Sequence, residues 1–425
     1  MAIRHWIQKS MPPFLVTILS INLLLGCVSK GNIEVPASQA IAHPRLAEMQ
    51  SLSLQEKDNV TYFGKSRRYY KNGIRVVVLS GEPYEIGYTR GALLRDEIRD
   101  WVRDLLYIVK KKSLGTSYGE NLLKERAKEV EEFIPPEYRE ELQGLSAGSD
   151  IDYDVLLVLN ILAPIIIDVA CTSVVVKSPD GSLLRSRNLD LYNHPALPAG
   201  LYFYKPTNGH AFVSISHLPG FIGTRTAFNA SGLNIGAHDI SRASGKYVKG
   251  EPEFILRREV AQYAGSVKEA GQILKAAQRS GSKIWLVADS KTAGIYEFNN
   301  EEFAYYEMKE DYLILTNHTR ILKIGRAYEN SFDRYNEAKA FWVEHQGEMN
   351  INTLIDLNRG NEICWTKIPE VTNLHSAIFK ADTLDFWIAA GPPPATRGRW
   401  VGFNLKKELY GSGKEPKPLI VPAAK

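Results

Sequence analysis

Three residues whose types could together serve nucleophilic chemistry lie close in the chain: Cys171, Arg187 and Asp190. Cys171 opens the run Cys171-Thr172-Ser173-Val174-Val175-Val176, which Ser178-Pro179-Asp180-Gly181 ends in a turn. The return run from Leu183 carries Arg187 and Asp190, and two such runs around a Gly-containing turn read as a hairpin. Pairing brings Arg187 and Asp190 back near Cys171, so that a thiol, a guanidinium and a carboxylate converge. Positive charge beside a thiol favours the thiolate, and the thiolate is the nucleophile. On spacing alone a plainer reading comes first: a small buried cysteine heading a core strand, with Arg187 and Asp190 an ordinary surface pair. The nine histidines are scattered and show no local Cys/His signature of the papain kind.

The chain that must position these residues has 425 residues, 44% hydrophobic, 24% charged and 10% aromatic. That is the composition of a folded soluble protein rather than a disordered chain or a multi-span membrane protein. With 52 basic against 48 acidic side chains, the formal charge of +4 implies no broad phosphate-binding surface, and nucleic acid is not an expected partner. Cys27, Cys171 and Cys364 are too few for a disulfide framework or a four-cysteine zinc site, and no metal or cofactor is expected. Cys364, in Glu362-Ile363-Cys364-Trp365, reads as structural or merely tolerated, with the lining of a pocket as the alternative.

Cys27 belongs to processing. Arg4 and Lys9 precede a nearly uninterrupted apolar run, Phe14 to Leu25, of signal-peptide length and short for a membrane span. The run ends Leu24-Leu25-Gly26-Cys27, which resembles the lipobox of bacterial lipoproteins. Against a plain secretory signal or an uncut anchor stands the position of Cys27, where that box requires it. The expectation is a signal peptide over 1–26 and lipidation of Cys27, tethering the protein to a bacterial membrane in the cell envelope. Val28 in place of Asp points, in a Gram-negative host, to the outer membrane. Losing Arg4 and Lys9 with no acid lowers the net charge from +4 to near +2.

Residues 27–58 are polar, without period, and read as a tether. After a short strand, Ile74 to Leu79, helical spacing dominates: Pro83 to Lys112, Tyr118 to Phe133, Glu137 to Ala147 and Tyr153 to about Leu162. The expected helical segment therefore covers 59–170, and 171–425 is expected to be a second body in which strands and helices mix. Such mixing indicates an α+β fold rather than a repeating βαβ array.

The stretch Cys171 to Asp190 resembles the start of the catalytic subunit in cysteine Ntn-hydrolases. These include choloylglycine hydrolases, acid ceramidase, N-acylethanolamine acid amidase and the penicillin acyl-coenzyme A acyltransferase group. Those enzymes keep a Cys, an Arg sixteen positions on and an Asp three further, matching Cys171, Arg187 and Asp190. Gly81-Glu82-Pro83-Tyr84-Glu85-Ile86-Gly87-Tyr88 and the Gly144-to-Asn160 segment are similar to the acyltransferase group's helical pro-segment. Leu315-Thr316-Asn317-His318 and Asn330-Ser331-Phe332-Asp333-Arg334-Tyr335 match the family's strand-end Asn and Arg-bearing helix start.

This resemblance implies a four-layer αββα fold and a chain that cuts itself between Ala170 and Cys171. The freed pro-segment would remain a partner of the catalytic part, and a small-molecule N-acyl amide would be the substrate. It further implies that Arg187 holds the thiolate and positions the substrate, Asp190 orients the new α-amino group, Asn317 donates to the oxyanion, and Arg334 braces the edge of the site or contacts the substrate. Asn229 and Asp239 align with substrate or oxyanion positions, and Phe221 and Ile222 with an acyl-pocket loop, though on physical grounds alone these two apolar side chains could equally pack inward. Asp239 departs from the bile-salt-hydrolase branch, which carries Asn there, and matches the acidic residue of the ceramidase branch; a strand-end cap fits it equally. Hydrolysis of linear amides, acyl transfer to an amine, and a catalytically silent surface-lipoprotein binding module are the main functional readings, and a papain-like protease, which would need an essential histidine, is a fourth.

Overall fold

Apolar runs with strand-like alternation become two sheets laid face to face in the structure, a computed structural model. It describes residues 33–39, 41–113, 117–166, 169–192, 198–241, 249–328, 330–360, 363 and 371–424. A short helix α1 (Leu46–Gln50) leads into strands β1 (Gln55–Lys57), β2 (Val60–Phe63), β3 (Ser66–Lys71) and β4 (Ile74–Gly81). Helices α2 (Pro83–Leu93), α3 (Arg95–Ser113), α4 (Ser117–Glu131), α5 (Pro136–Ser149) and α6 (Tyr153–Ile166) follow. Next come β5 (Val169–Lys177), β6 (Leu183–Tyr192), β7 (Gly200–Pro206), β8 (Phe212–Ser216), β9 (Thr226–Asn229) and β10 (Asn234–His238). Helices α7 (Glu253–Tyr263) and α8 (Val267–Ala276) precede β11 (Lys283–Ala288), β12 (Ala293–Phe298), β13 (Phe303–Glu307) and β14 (Tyr312–Leu315). After these lie α9 (Ser331–Glu344), α10 (Ile351–Arg359), β15 (Val371–Lys380), β16 (Asp385–Ala389), β17 (Trp400–Asn404), α11 (Leu405–Tyr410) and β18 (Ile420–Val421).

Among the described residues the larger sheet runs β1-β2-β3-β4-β7-β8-β9-β10-β11-β12-β13 and the smaller β14-β5-β6-β15-β16-β17-β18. Between the sheets, Val78, Phe203 and Phe228 pack against Phe379, Phe386 and Phe403, and Leu286 and Ile295 against Val175, Leu313 and Leu315. The other face of the large sheet is covered by α2–α8 through side chains such as Ile86, Ile98, Leu142, Leu156, Leu256 and Leu274. Ala338, Leu354 and Leu357 of α9 and α10 cover the other face of the small sheet. The order of layers is therefore αββα. At about 25 cal/mol per Å² of apolar surface removed from water, these interlayer cores supply the main stabilisation.

The helical layer is locked by an unusually close crossing of α2 and α5. Gly87 and Gly91 face Gly144 and Gly148, and a Cβ built on Gly87 would sit 1.9 Å from the Glu141 carbonyl oxygen. On Gly144 it would sit 2.1 Å from the Tyr84 carbonyl oxygen. Only hydrogen fits at these positions.

Several expectations change. The stretch read as a tether is packed from Ile33 onward: Ile33 and Met49 are buried, and the His43 ring stacks on Tyr84 at 3.6 Å. Its first part lacks period because it lies extended and is held by separate contacts such as Asp152 N–H to the Pro36 carbonyl, before the short α1 and β1. The segment 59–170 is not helical throughout, since β2–β4 open it; β2 and β3 lie near a sheet edge, half-exposed, and alternate weakly. The helix expected over Pro83 to Lys112 divides at Leu94, whose φ of −126° and ψ of 24° leave the helical range. Cys27 and Cys364 lie outside the described residues, and among those described no helix is long and apolar enough to cross a membrane.

Candidate active site

Strand β5 begins at Val169, so the Ala170–Cys171 peptide lies inside a regular strand and not at a chain break. Its register with β6 places Ala170 opposite Asp190, Cys171 opposite Leu189 and Ser173 opposite Arg187. Side chains alternate along a strand, so Cys171, Ser173 and Arg187 share the face turned to the large sheet, while Asp190 belongs to the other.

Each polar handle of Cys171 is held by a different residue. Arg187 Nη2 donates to Cys171 Sγ at 3.2 Å and to the Ala237 carbonyl at 2.9 Å. The Cys171 N–H donates to Asn317 Oδ1 at 3.0 Å, just beyond the end of β14. Arg334, in the first turn of α9, donates from Nη1 to the Cys171 carbonyl at 2.6 Å and to Thr172 Oγ1 at 2.9 Å. Its Nη2 reaches Asn317 Oδ1 at 2.7 Å. Two donors on one oxygen assign the Asn317 amide: Oδ1 faces Cys171, and Nδ2 donates to the Asp239 carbonyl at 2.7 Å. Asp190 accepts at Oδ1 from Asn373 Nδ2 at 2.9 Å. All of these side chains are buried, Cys171 and Asp190 fully.

Burial pushes the Cys171 thiol up, Arg187 opposes that most strongly, and Asp239 and Asp190 add to it. In the uncut chain the sulfur is therefore a neutral thiol beside a guanidinium. Arg187 is braced in turn, its Nε donating to Thr226 Oγ1 at 2.9 Å, and Thr226 also contacts His375 Nε2 at 3.2 Å. His238 Nε2 lies 2.9 Å from Ser173 Oγ. Burial, then the neighbouring arginines, holds both imidazoles in the neutral form, with His375 pushed down to about 3 and His238 well below the ordinary range.

The structure thus brings Cys171, Arg187, Asn317 and Arg334 into one hydrogen-bonded group, with Asp190 opposite the residue before the cysteine. The positions aligned with substrate or oxyanion roles fare differently. Asn229 is a turn clamp: its Nδ2 donates to the Ala261 and Ala264 carbonyls and its Oδ1 accepts from Ser231 and Leu233. Every polar atom being used there, it does not serve as an oxyanion or substrate group. Phe221 and Ile222 turn inward, Phe221 against Phe254 with ring centres 5.4 Å apart. Asn160 of α6 and Arg90 of α2 clamp their loop, so they form core rather than an open pocket. The apolar run around them reads the same from sequence whether it lines a pocket or a core. Asp239 pairs its carboxylate with Lys283 and lends its carbonyl to Asn317. His238, His375 and Thr226 were not signalled by local sequence, because they reach the site only through strand order.

Two facing sheets between helical layers, with a cysteine near the start of an inner strand, give the αββα architecture that the sequence resemblance implies. The chain belongs to the acyl-coenzyme A:6-aminopenicillanic acid acyl-transferase family, whose model matches residues 176–394 and so spans Arg187, Asp190, Asn317 and Arg334. An Archaeoglobus fulgidus protein described as uncharacterized is 28% identical over 356 residues, covering 69% of this chain and 58% of its own. Protein dcd1A of Dictyostelium discoideum is 28% identical over 284 residues, covering 58% of this chain and 63% of its own. The chain thus spans less than two thirds of the length of these relatives. Among solved structures, a mutant conjugated bile acid hydrolase from Clostridium perfringens aligns with a TM-score of 0.43 and 12% identity, over 58% of this chain and 95% of that one.

Proposed function

We propose that this protein is an N-terminal-cysteine amidase that matures by cutting its own chain before Cys171 and then hydrolyses linear amide C–N bonds through a thioester. The observation that carries the reading is the separate hold on the sulfur, nitrogen and carbonyl of Cys171 by Arg187, Asn317 and Arg334. A structural cysteine needs none of these. In maturation the sulfur adds to the Ala170 carbonyl carbon, the peptide C–N bond breaks, and the thiol proton passes to the Cys171 nitrogen. Water then hydrolyses the Ala170 thioester, leaving a carboxylate on Ala170 and a free thiol and α-amine on Cys171. An α-amine has a pKa of about 8 in model peptides, so it takes the thiol proton in later turnovers without a histidine. Asn317 Oδ1 already faces that nitrogen, and Asp190 lies across the strand pair from Ala170. Asn317 Nδ2 is bonded to the Asp239 carbonyl in the uncut chain, so its service to an oxyanion follows exchange of that bond.

The test is the intact mass of wild type beside Cys171→Ala. Wild type is expected as two non-covalently associated pieces meeting between Ala170 and Cys171, and the variant as one chain. An uncut wild type with full amidase activity would overturn the mechanism. The family match favours a second fate for the same thioester, capture by an amine, which appears as a new amide when an amine acceptor is added. A lipid-like acyl group and a membrane anchor at Cys27 complete the reading; Cys27→Ala is expected to move the protein out of the membrane fraction.

A further inference from the structure

Around Cys171 the buried and partly buried charges do not balance. Arg185, Arg187, Arg225, Arg257, Lys283 and Arg334 meet Asp190, Asp239 and Glu253. Most of these cations have acceptors: Lys283 has the Asp239 carboxylate, Arg257 has Glu253, Arg334 has the Cys171 and Asn317 oxygens, and Arg187 has Thr226, the Ala237 carbonyl and the sulfur. Arg185 has Asn234 Oδ1 at 3.0 Å for its Nη1 alone, its Nε and Nη2 finding no acceptor among the described residues.

Arg225 shares those two open donors with Arg185 and differs in that its guanidinium makes no hydrogen bond to any described residue. It is 2% exposed, yet neither Nε nor Nη2 finds an acceptor among the described residues. Its guanidinium lies 5.1 Å from the centre of the Phe254 ring. It immediately precedes Thr226, whose hydroxyl braces the Arg187 that touches the sulfur. The carboxylates that act on it do not close on it: Asp239 is held by Lys283, and Glu253 Oε1 takes both Arg257 and the Trp285 N–H, with its Oε2 left unpartnered. Burial lowers the Arg225 guanidinium to about 10, a sign of how poorly its charge is compensated. A buried, unpaired cation is kept only against a considerable cost, which an incoming anion removes. The two open donors, Nε and Nη2, are the pair that binds a carboxylate side-on with two parallel hydrogen bonds.

We infer that Arg225 is a carboxylate-binding residue beside the nucleophile, so that the amide substrate carries a carboxylate close to its scissile bond, as an N-acyl α-amino acid does. This rests on the amidase reading and narrows it: a neutral N-acyl amide of the same acyl chain leaves the Arg225 fork unpaired.

The experiment compares N-acylglycines with the matching N-acylglycinamides over a range of acyl lengths, using processed wild type, Arg225→Met and Arg225→Lys. Wild type is expected to favour the acid in kcat/KM by about 30- to 100-fold, the size of charge-assisted hydrogen bonds made to one substrate and not the other. Arg225→Met is expected to lose that factor on the acid, mainly through KM, and to keep its rate on the amide. Arg225→Lys regains part of it as a point charge. Removing an uncompensated buried charge is expected to leave self-cleavage intact and Tm unchanged or raised, which separates the effect from misfolding. Equal wild-type rates on acid and amide, or equal losses on both in Arg225→Met, would overturn the carboxylate role while leaving the amidase reading in place. Turnover of neither by fully cleaved protein would overturn both.

Discussion

At the scale of single residues, the interior around Cys171 is buried, basic and furnished with neutral imidazoles, and that has a pH signature. His375 is fully buried, and burial together with Arg187 and Arg225 pushes its pKa down to about 3. An unfolded chain takes up that proton near the ordinary histidine value of about 6.5, whereas the folded protein does so only near 3. Between those values the unfolded state binds more protons, so the stability held above pH 6.5 is lost as pH falls, by at most about 1.4 kcal/mol per unit for this group. His375→Gln, which keeps a hydrogen-bonding group toward Thr226, is expected to lose less Tm than wild type between pH 7 and pH 5. Parallel melting curves for the two proteins would show that His375 is not held neutral. Cys171, Arg187, Asn317 and Arg334 were legible as residues because their types and spacings match a family pattern. Arg225 and His375 were not, since nothing in Thr224-Arg225-Thr226 or Leu374-His375-Ser376 distinguishes them before the sheets are assembled.

At the scale of elements, the α2–α5 crossing turns four glycines into a design constraint on the helical layer. Alanine ordinarily stabilises a helix interior by about 1 kcal/mol over glycine. Here Gly144→Ala drives a methyl to within 2.1 Å of the Tyr84 carbonyl oxygen, and the two helices must part. Overpacking of that kind costs about 1–3 kcal/mol, so the sign of the usual substitution is expected to reverse. Chemical denaturation of Gly144→Ala beside Gly347→Ala separates the crossing from ordinary backbone strain, because Gly347 has a positive φ of 83° and open space around it. Equal losses would attribute both to the backbone. The helices themselves were legible from apolar spacing, but the Leu94 break was not, because Leu93 and Leu94 continue the periodic pattern. Strands β2 and β3 were missed for the opposite reason: on a half-exposed edge, Arg68, Tyr69 and Tyr70 alternate too weakly to mark a face.

At the scale of the whole molecule, the proposed cut falls between two parts that share one core. Helices α2–α6, N-terminal to the cut, and α7–α8, beyond it, bury their apolar faces together on the large sheet. Strand β4, also N-terminal, pairs in parallel with β7 from the other side of the cut. A buried ion pair, Glu141 of α5 with Arg258 of α7 at 2.7 Å, joins them as well, and the same guanidinium lies 4.0 Å from the Tyr204 ring centre. Cutting one peptide bond removes none of these contacts, so the pieces are expected to elute together and melt in a single transition. What the cut changes is the order of the unfolding reaction: an intact chain unfolds unimolecularly, whereas a cleaved one also dissociates. Tm of the cleaved wild type is therefore expected to rise with protein concentration, each tenfold dilution weakening the assembly by about 1.4 kcal/mol, while Tm of uncut Cys171→Ala stays constant. A cleaved protein whose Tm ignores concentration would mean that one piece keeps its fold without the other, and the shared core would then not be the bond between them.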